Sequence, residues 1–460
     1  MPSTTKLIGP PLGIRLQGEL STYAPGDTII GTVYRTAPIV STRSVVKITL
    51  HGRAKSKMVV SRGQGGSKTY RGRWTVVQDT ETLFDGPLHI EIRGTGMEWP
   101  FAITIPETSN PKWIRYSNPK ESFIPVGPED VGSHPLPATF AACRVGFSTN
   151  MECFVEYYLQ ASIQNTRDGS VHTQEATFPI AMQNFHPGPP IADFQIRRQA
   201  MFCSVSSYRL VPGMENGNLS WGQATRHFFK FSKVPNYNFK FVVDTPTVIQ
   251  LDNPLPMPFT LRAIPNWDQT SEIIRDVHQD IKLELVSLSL KSYTGILCEG
   301  TFMPHSVDTS QKHHLLTNYA FSAAGAQVFV PCTHDAPSVD IGGLINLRIN
   351  ARGLVGQKYP ALFPIHPTFT TYNIKHTCFL HWHVLLSIRG ESVKRTGEHM
   401  VTILPPSDDR ELASLSSNVV DPMLRPVPLP QSDSWIQPPP EEDGPPPPFT
   451  EAAQKTTLRV

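Results

Sequence analysis

The chain lacks paired cysteines, long apolar runs and an excess of either charge. Its six cysteines (Cys143, Cys153, Cys203, Cys298, Cys332, Cys378) are scattered and never spaced as Cys-x-x-Cys. No apolar leader follows Met1-Pro2-Ser3-Thr4-Thr5-Lys6. Together these predict free thiols in a reducing, intracellular compartment, where the Asn218-Leu219-Ser220 sequon goes unused. No window reaches 18 uninterrupted apolar residues, which argues against a spanning helix. Lys+Arg number 41 against 39 Asp+Glu, so no global field favours nucleic acid as a partner, and any electrostatic recognition has to be local. Catalytic signatures are missing as well. There is no Gly-x-Ser-x-Gly elbow, no Gly-x-x-x-x-Gly-Lys loop and no His-Glu-x-x-His, and Gly63-Gln64-Gly65-Gly66-Ser67-Lys68 has the wrong spacing for a phosphate loop. A glycosidase-type carboxylate pair leaves no local mark in a sequence, but glycan chemistry suits an intracellular chain poorly. The expectation is a non-enzyme without cofactor or metal.

What the chain has is proline, 44 residues of 460, about twice average usage. Most prolines punctuate short runs of alternating apolar and polar residues, the pattern of β-sandwiches with long loops. Gly13–Gln17, Thr28–Tyr34, Val45–Arg53, Arg73–Gln78, Glu98–Ile105, Cys153–Ile163 and Ala176–Met182 read as strands, with a turn at Ala24-Pro25-Gly26-Asp27. Residues 107–139 have no period and read as a long loop. Phe185-His186-Pro187-Gly188-Pro189-Pro190 reads as a linker, after which alternation resumes through Phe228–Val243, Phe259–Ala263, Ile281–Ser292, Ile341–Ala351, Tyr372–Ile388 and His399–Ile403. Glu215-Asn216-Gly217-Asn218 signals a hairpin, and Asp268–Asp280 is the one short helix expected. The fold class is therefore all-β: β-sandwich domains over 1–186 and 187–406, followed by a disordered Pro-rich tail over 407–460.

Ser41 to Gln78 contains no Asp or Glu. Strand alternation puts Lys47, His51, Arg53, Lys55 and Lys57 on one face and Val46, Ile48 and Leu50 on the other. Arg71 and Arg73 join them if the next strand folds back around Gly63–Ser67. Lys47, Arg53, Lys55, Lys57, Arg71 and Arg73 are the candidate site for a phosphorylated peptide or an anionic membrane surface. The plainer alternative is a solvated face answered by acids elsewhere in the fold. His381 and His383 share a strand face at acceptable metal spacing, with His376 and Cys378 on the opposite face, and are read as structural, as is His313-His314 in a loop.

In the tail, Gly444 precedes Pro445-Pro446-Pro447-Pro448-Phe449. Four prolines preset a polyproline II rod suited to an aromatic groove. Pro446, Pro447 and Phe449 fit a WW-domain ligand of the form Pro-Pro-x-Tyr with the tyrosine hydroxyl missing. Arg425-Pro426-Val427-Pro428-Leu429-Pro430 misses the SH3 register by one residue. A solubilising tail with no partner is the remaining alternative.

Leu16-Gln17-Gly18, Tyr23-Ala24-Pro25-Gly26-Asp27 and Gly31-Thr32-Val33 resemble the opening of an arrestin amino-terminal domain. Trp99-Pro100-Phe101 through Pro106, and Leu136-Pro137-Ala138-Thr139-Phe140, resemble its later strands. Tyr208–Pro212, Asn236–Phe241, Pro246–Leu261, Pro367–Ile374 and Val401–Pro405 resemble the carboxy-terminal domain. Spread over residues 10–405, the likeness is greatest to fungal α-arrestins. The resemblance implies two immunoglobulin-like sandwiches of the arrestin fold. It also implies a cytoplasmic adaptor, peripheral at the plasma membrane or endosomes, that binds cytosolic tails of membrane transporters or receptors. Its tail would recruit the WW domains of a HECT-type ubiquitin ligase, so that cargo is ubiquitinated and endocytosed. A retromer-like sorting scaffold, with no need of the tail contact, is the alternative on the same fold.

Overall fold

Where the sequence alternates, the chain forms strands. The computed structural model describes residues 4–408 apart from 10, 19–21, 62, 64, 65, 93, 115–117, 168, 169, 215–233, 302, 326, 336, 358 and 359. Its first half contributes β1 (Gly13–Leu16), β2 (Thr28–Arg35), β3 (Ile39–Ser61), β4 (Ser67–Ile90), β5 (Met97–Thr104), β6 (Phe140–Arg144), β7 (Thr149–Arg167) and β8 (Ser170–Ile180). The second half contributes β9 (Ile196–Ser206), β10 (Asn236–Pro246), β11 (Val248–Gln250), β12 (Thr260–Pro265), β13 (Ile281–Cys298), β14 (His305–His314), β15 (Val328–Val330), β16 (Val339–Asp340), β17 (Ile349–Asn350), β18 (Gly353–Leu354), β19 (Phe369–Thr370), β20 (Ile374–Ile388) and β21 (Glu391–Leu404). The protein is all-β in character. No helix among the described residues is long and apolar enough to cross a membrane.

Two sheets enclose each of two apolar cores. The first core lies between β1-β2-β5 and β4-β3-β7-β6, with β8 added beside β7. Ile14, Ile29, Val33, Phe101 and Ile103 from one sheet meet Ile48, Leu50, Val76, Val155 and Leu159 from the other. The second lies between β16-β12-β10-β9 and β11-β21-β20-β13-β14. There Phe239, Phe241 and Leu261 meet Leu288, Leu290, Leu380, Trp382 and Val384. Alternation explains the sidedness: along β3, Val46, Ile48, Leu50 and Ala54 are fully buried, and the odd-numbered residues between them face outward.

The cores are joined by two long strands. Ile296 and Cys298 at the end of β13, and Ile374 at the start of β20 with Tyr372 just before it, belong to the first core although the rest of both strands lines the second. Gly72 on β4 permits this approach, since a Cβ there would lie 2.8 Å from the Leu297 carbonyl oxygen and 2.5 Å from Ser56 Oγ.

Several segments differ from the reading of the sequence, among them Ile341–Ala351, expected as a strand, which holds a short helix at Ile341–Leu344 and a strand only at Ile349–Asn350. Residues 107–139 hold short helices at Pro111–Ile114 and Pro128–Val131 and bury Ile114, Val131 and Leu136 in the first core. The Phe123 N–H donates to the Tyr372 carbonyl at 2.7 Å. Single anchors placed without a period leave no stripe for sequence patterning to detect. The short helix expected over Asp268–Asp280 is instead two 3-10 turns, Trp267–Gln269 and Glu272–Ile274. Only Ile274 of these is buried, so no apolar stripe at helical spacing exists to extend either turn. The Glu215–Asn218 hairpin signal and the tail from residue 409 onward lie outside the described residues.

Candidate functional site

The acid-free segment folds back on itself as β3 and β4. Their antiparallel register sets Lys55 opposite Arg73 and Lys57 opposite Arg71. On the other side of β3, Lys55 faces Phe154 and Lys57 faces Glu152 of β7. Lys55, Lys57, Arg71 and Arg73 thus converge on a cavity of about 330 Å³, which Glu152, Phe154 and Glu299 also line. Glu299 arrives from the end of β13, where its backbone N–H donates to the Arg71 carbonyl at 2.8 Å. The cavity therefore lies where the two halves meet.

Four cations against two carboxylates leave a local positive excess. Lys57 Nζ is 3.8 Å from Glu152 Oε2, both side chains being about half exposed, a pairing of little energetic weight. Arg71 and Arg73 have no ion-pair partner among the described residues. Lys55 holds its ammonium 5.6 Å from the Phe154 ring centre. Burial first, then Arg53 and Arg73, push the Lys55 amine down to about 8 against the opposing pull of Glu156. An amine in that state is short of negative charge. An oxyanion in the cavity would supply it, with Arg71 and Arg73 as forked donors.

Two of the six residues expected at this site fall elsewhere. Arg53 is already engaged: its Nε lies 2.5 Å from Glu156 Oε1, and its Nη2 donates to Thr4 Oγ1 at 3.1 Å. The Thr4 N–H in turn donates to Glu156 Oε2 at 3.0 Å. Burial works to raise the Glu156 carboxyl, but the Thr4 N–H and the Arg53 guanidinium outweigh it and hold it below its ordinary value. Lys47 lies ten residues before Lys57 on the same strand, about 33 Å away at strand rise. There it adds a Coulombic contribution to Asp85, whose carboxyl is held down chiefly by hydrogen bonding from Arg43. Glu152, Phe154 and Glu299 escaped the sequence reading. Only the β3–β7 register and the approach of β13 bring them in, and neither is written locally.

The histidines divide as parity predicts. His381 and His383 face outward on β20, whereas His376 and Cys378 face the buried side. Glu398 sits across from His381 on β21, with Oε1 3.1 Å from His381 Nε2, a carboxylate partner that spacing along one strand did not reveal. His313 and His314 end β14, where the sequence reading placed a loop. His313 Nε2 contacts Ser292 Oγ at 3.1 Å, and His376 Nδ1 contacts Thr294 Oγ1 at 2.9 Å. Among the described residues, no three His, Cys, Asp or Glu side chains converge as metal ligands.

Pro446, Pro447 and Phe449 lie outside the described residues. The chain matches no model of a known protein family, and no curated protein matches it.

Proposed function

We propose that the protein is an arrestin-like adaptor that holds acidic or phosphorylated cytosolic tails of membrane transporters or receptors in the cavity of Lys55, Lys57, Arg71 and Arg73. The observation that carries this reading is the convergence of those four cations from two paired strands onto one hollow. Further support comes from the order of arrestin-like motifs along the chain and from two apolar cores, each enclosed between two sheets. In this reading residues 1–186 and 187–406 are immunoglobulin-like sandwiches. The protein works peripherally at the plasma membrane or endosomes, and Pro446, Pro447 and Phe449 dock a WW domain of a HECT-type ligase.

Fluorescence anisotropy with one peptide, phosphorylated and unphosphorylated, tests the cavity. The full chain should prefer the phosphorylated form, and Lys55→Glu with Arg73→Glu should abolish that preference. Lys47→Glu, remote from the cavity, should leave it intact. Equal loss from Lys47→Glu, or undiminished preference in the double variant, would overturn the reading.

A further inference from the structure

The end of the molecule nearest the cavity carries the most exposed large apolar side chains of the first core's sheets. β6 and β7 are joined by a turn at Val145–Ser148, in which Val145 is 89% exposed and Phe147 is 106% exposed. Phe147 therefore contributes nothing to the packing of the fold. The turn is nevertheless built: the Gly146 N–H donates to Asn150 Oδ1 at 3.0 Å, and the Ser61 N–H donates to the Ser148 carbonyl at 2.8 Å. The second bond ties this turn to Ser61, where β3 ends and the chain turns toward β4. A third turn, between β13 and β14, joins them. Tyr70 of β4 lies 3.7 Å, centre to centre, from the ring of His305, and Arg144 Nη1 donates to the Asp308 carbonyl at 2.9 Å. Met303 in this third turn is 75% exposed.

Cations stand back from these tips. Arg144 ends β6, Lys68 begins β4 with its ammonium 5.0 Å from the Tyr70 ring centre, and Lys57 and Arg71 lie further along the strands. Glu152, Glu299 and Asp308 are the described acids of this end, and Glu152 lies 3.8 Å from Lys57. An apolar crest with a basic zone behind it has the depth order of an anionic bilayer, acyl chains first and phosphates second. A protein partner would need matching pockets for two separate tips, whereas a fluid lipid surface needs none.

We propose that the Val145–Ser148 turn is a bilayer-docking element, with Phe147 and Val145 inserting among the lipids and Arg144 and Lys68 meeting the headgroup phosphates. This goes beyond the adaptor reading, because it involves other residues and lipid in place of peptide. Sedimentation of the full chain with vesicles of phosphatidylcholine and phosphatidylserine tests it, alongside vesicles of phosphatidylcholine alone. Native protein should partition onto the mixed vesicles and release in high salt. Val145→Ser with Phe147→Ser should weaken partitioning by about a hundredfold or more, since transfer of a phenylalanine and a valine is lost, and Phe147→Trp should retain it. Both positions are solvent-exposed, so melting temperature and phosphopeptide affinity should not change in these variants. Native partitioning by the double serine variant would mean charge adsorption alone and would overturn the proposal, as would absence of native binding to the mixed vesicles. Loss of phosphopeptide binding in Lys55→Glu with Arg73→Glu bears on the adaptor reading and leaves this one standing.

Discussion

Ser56 Oγ donates a hydrogen bond of 2.5 Å to the carbonyl oxygen of Leu297, 241 residues away in sequence. The same hydroxyl accepts from Asn373 Nδ2 at 2.9 Å, so one serine of β3 bonds to segments leading out of β13 and into β20. The donor and its partners are buried, which makes the contact costly to leave unmade.

Gly72 lies against that contact, and its replacement should separate the halves. The Cβ of Gly72→Ala would fall 2.5 Å from Ser56 Oγ, and the hydroxyl cannot retreat without giving up Leu297 or Asn373. A loss of about 1–3 kcal/mol is expected from overpacking of this kind. Ser56→Ala should cost a similar amount, about 1–3 kcal/mol, by leaving buried partners unsatisfied. Chemical denaturation reads both, and a Gly72→Ala protein as stable as the native one would show that the two segments approach less closely.

Lys55 predicts how anion binding depends on pH. Its amine titrates near 8 in the free protein because of burial and the cations beside it. A bound phosphate supplies the missing negative charge and raises that value, so binding takes up a proton wherever the free amine is neutral. Affinity for a phosphopeptide should hold below pH 8 and fall as pH rises from 8 to 9.5. Lys55→Arg, charged throughout, should flatten the profile; a native profile already flat over this range would remove Lys55 from the site.

Acid should destabilise the junction through its histidines. Burial chiefly lowers His366 to about 4 and His376 to about 3, and His313 is lowered as well. Phe140 packs edge-on against His366 at 5.0 Å, and Phe369 stacks on His376 at 5.8 Å. Thr294 and Ser292 supply hydroxyls to His376 and His313, and Cys378 Sγ lies 3.9 Å from His376 Nε2. No carboxylate is among these contacts to receive a new charge. Unfolded histidine binds its proton near 6.5, so below that pH the unfolded chain holds more protons than the folded one. Stability is full above about pH 6.5 and falls as pH drops toward 4, by up to about 1.4 kcal/mol per pH unit for each histidine. His366→Phe should reduce this slope by about one proton; an unchanged slope would place the acid sensitivity elsewhere.

Strand faces were legible because alternation is a local signal. Val46, Ile48 and Leu50 are buried and Lys47 faces out, as period two requires. The turn at Pro25-Gly26-Asp27 forms with Gly26 at φ +89° and the Ala24 N–H capped by Asp27 Oδ2 at 2.8 Å. That Arg71 and Arg73 join Lys55 and Lys57 was legible only on condition that the next strand folds back around Gly63–Ser67, and which residue faces which is set by the register. Illegible were the contacts that depend on which surfaces meet. Thr4 reaches Glu156 across 152 residues and thereby occupies Arg53. Glu299 closes the cavity from just past the end of β13, and Ile296 of β13 and Ile374 of β20 serve a core that the rest of their strands leaves. Periodicity says which side of a strand is buried and nothing about what buries it.

The proposed ligase recruitment turns on one oxygen atom. Phe449 follows Pro446-Pro447-Pro448 where a WW ligand carries tyrosine, so the apolar ring is kept and the hydroxyl is not. A hydrogen bond of this kind contributes about 1 kcal/mol net, or roughly fivefold in affinity. The four prolines are the same in either variant, so the remaining contacts should be unaffected. Titration of the full chain with isolated WW domains should give weak binding to the native tail, about fivefold tighter binding to Phe449→Tyr, and none to Phe449→Ala. Binding that survives Phe449→Ala would move the contact to the prolines alone. Failure of both the native tail and Phe449→Tyr would leave the basic cavity as the protein's only proposed recruiting site and favour a sorting scaffold that needs no ligase.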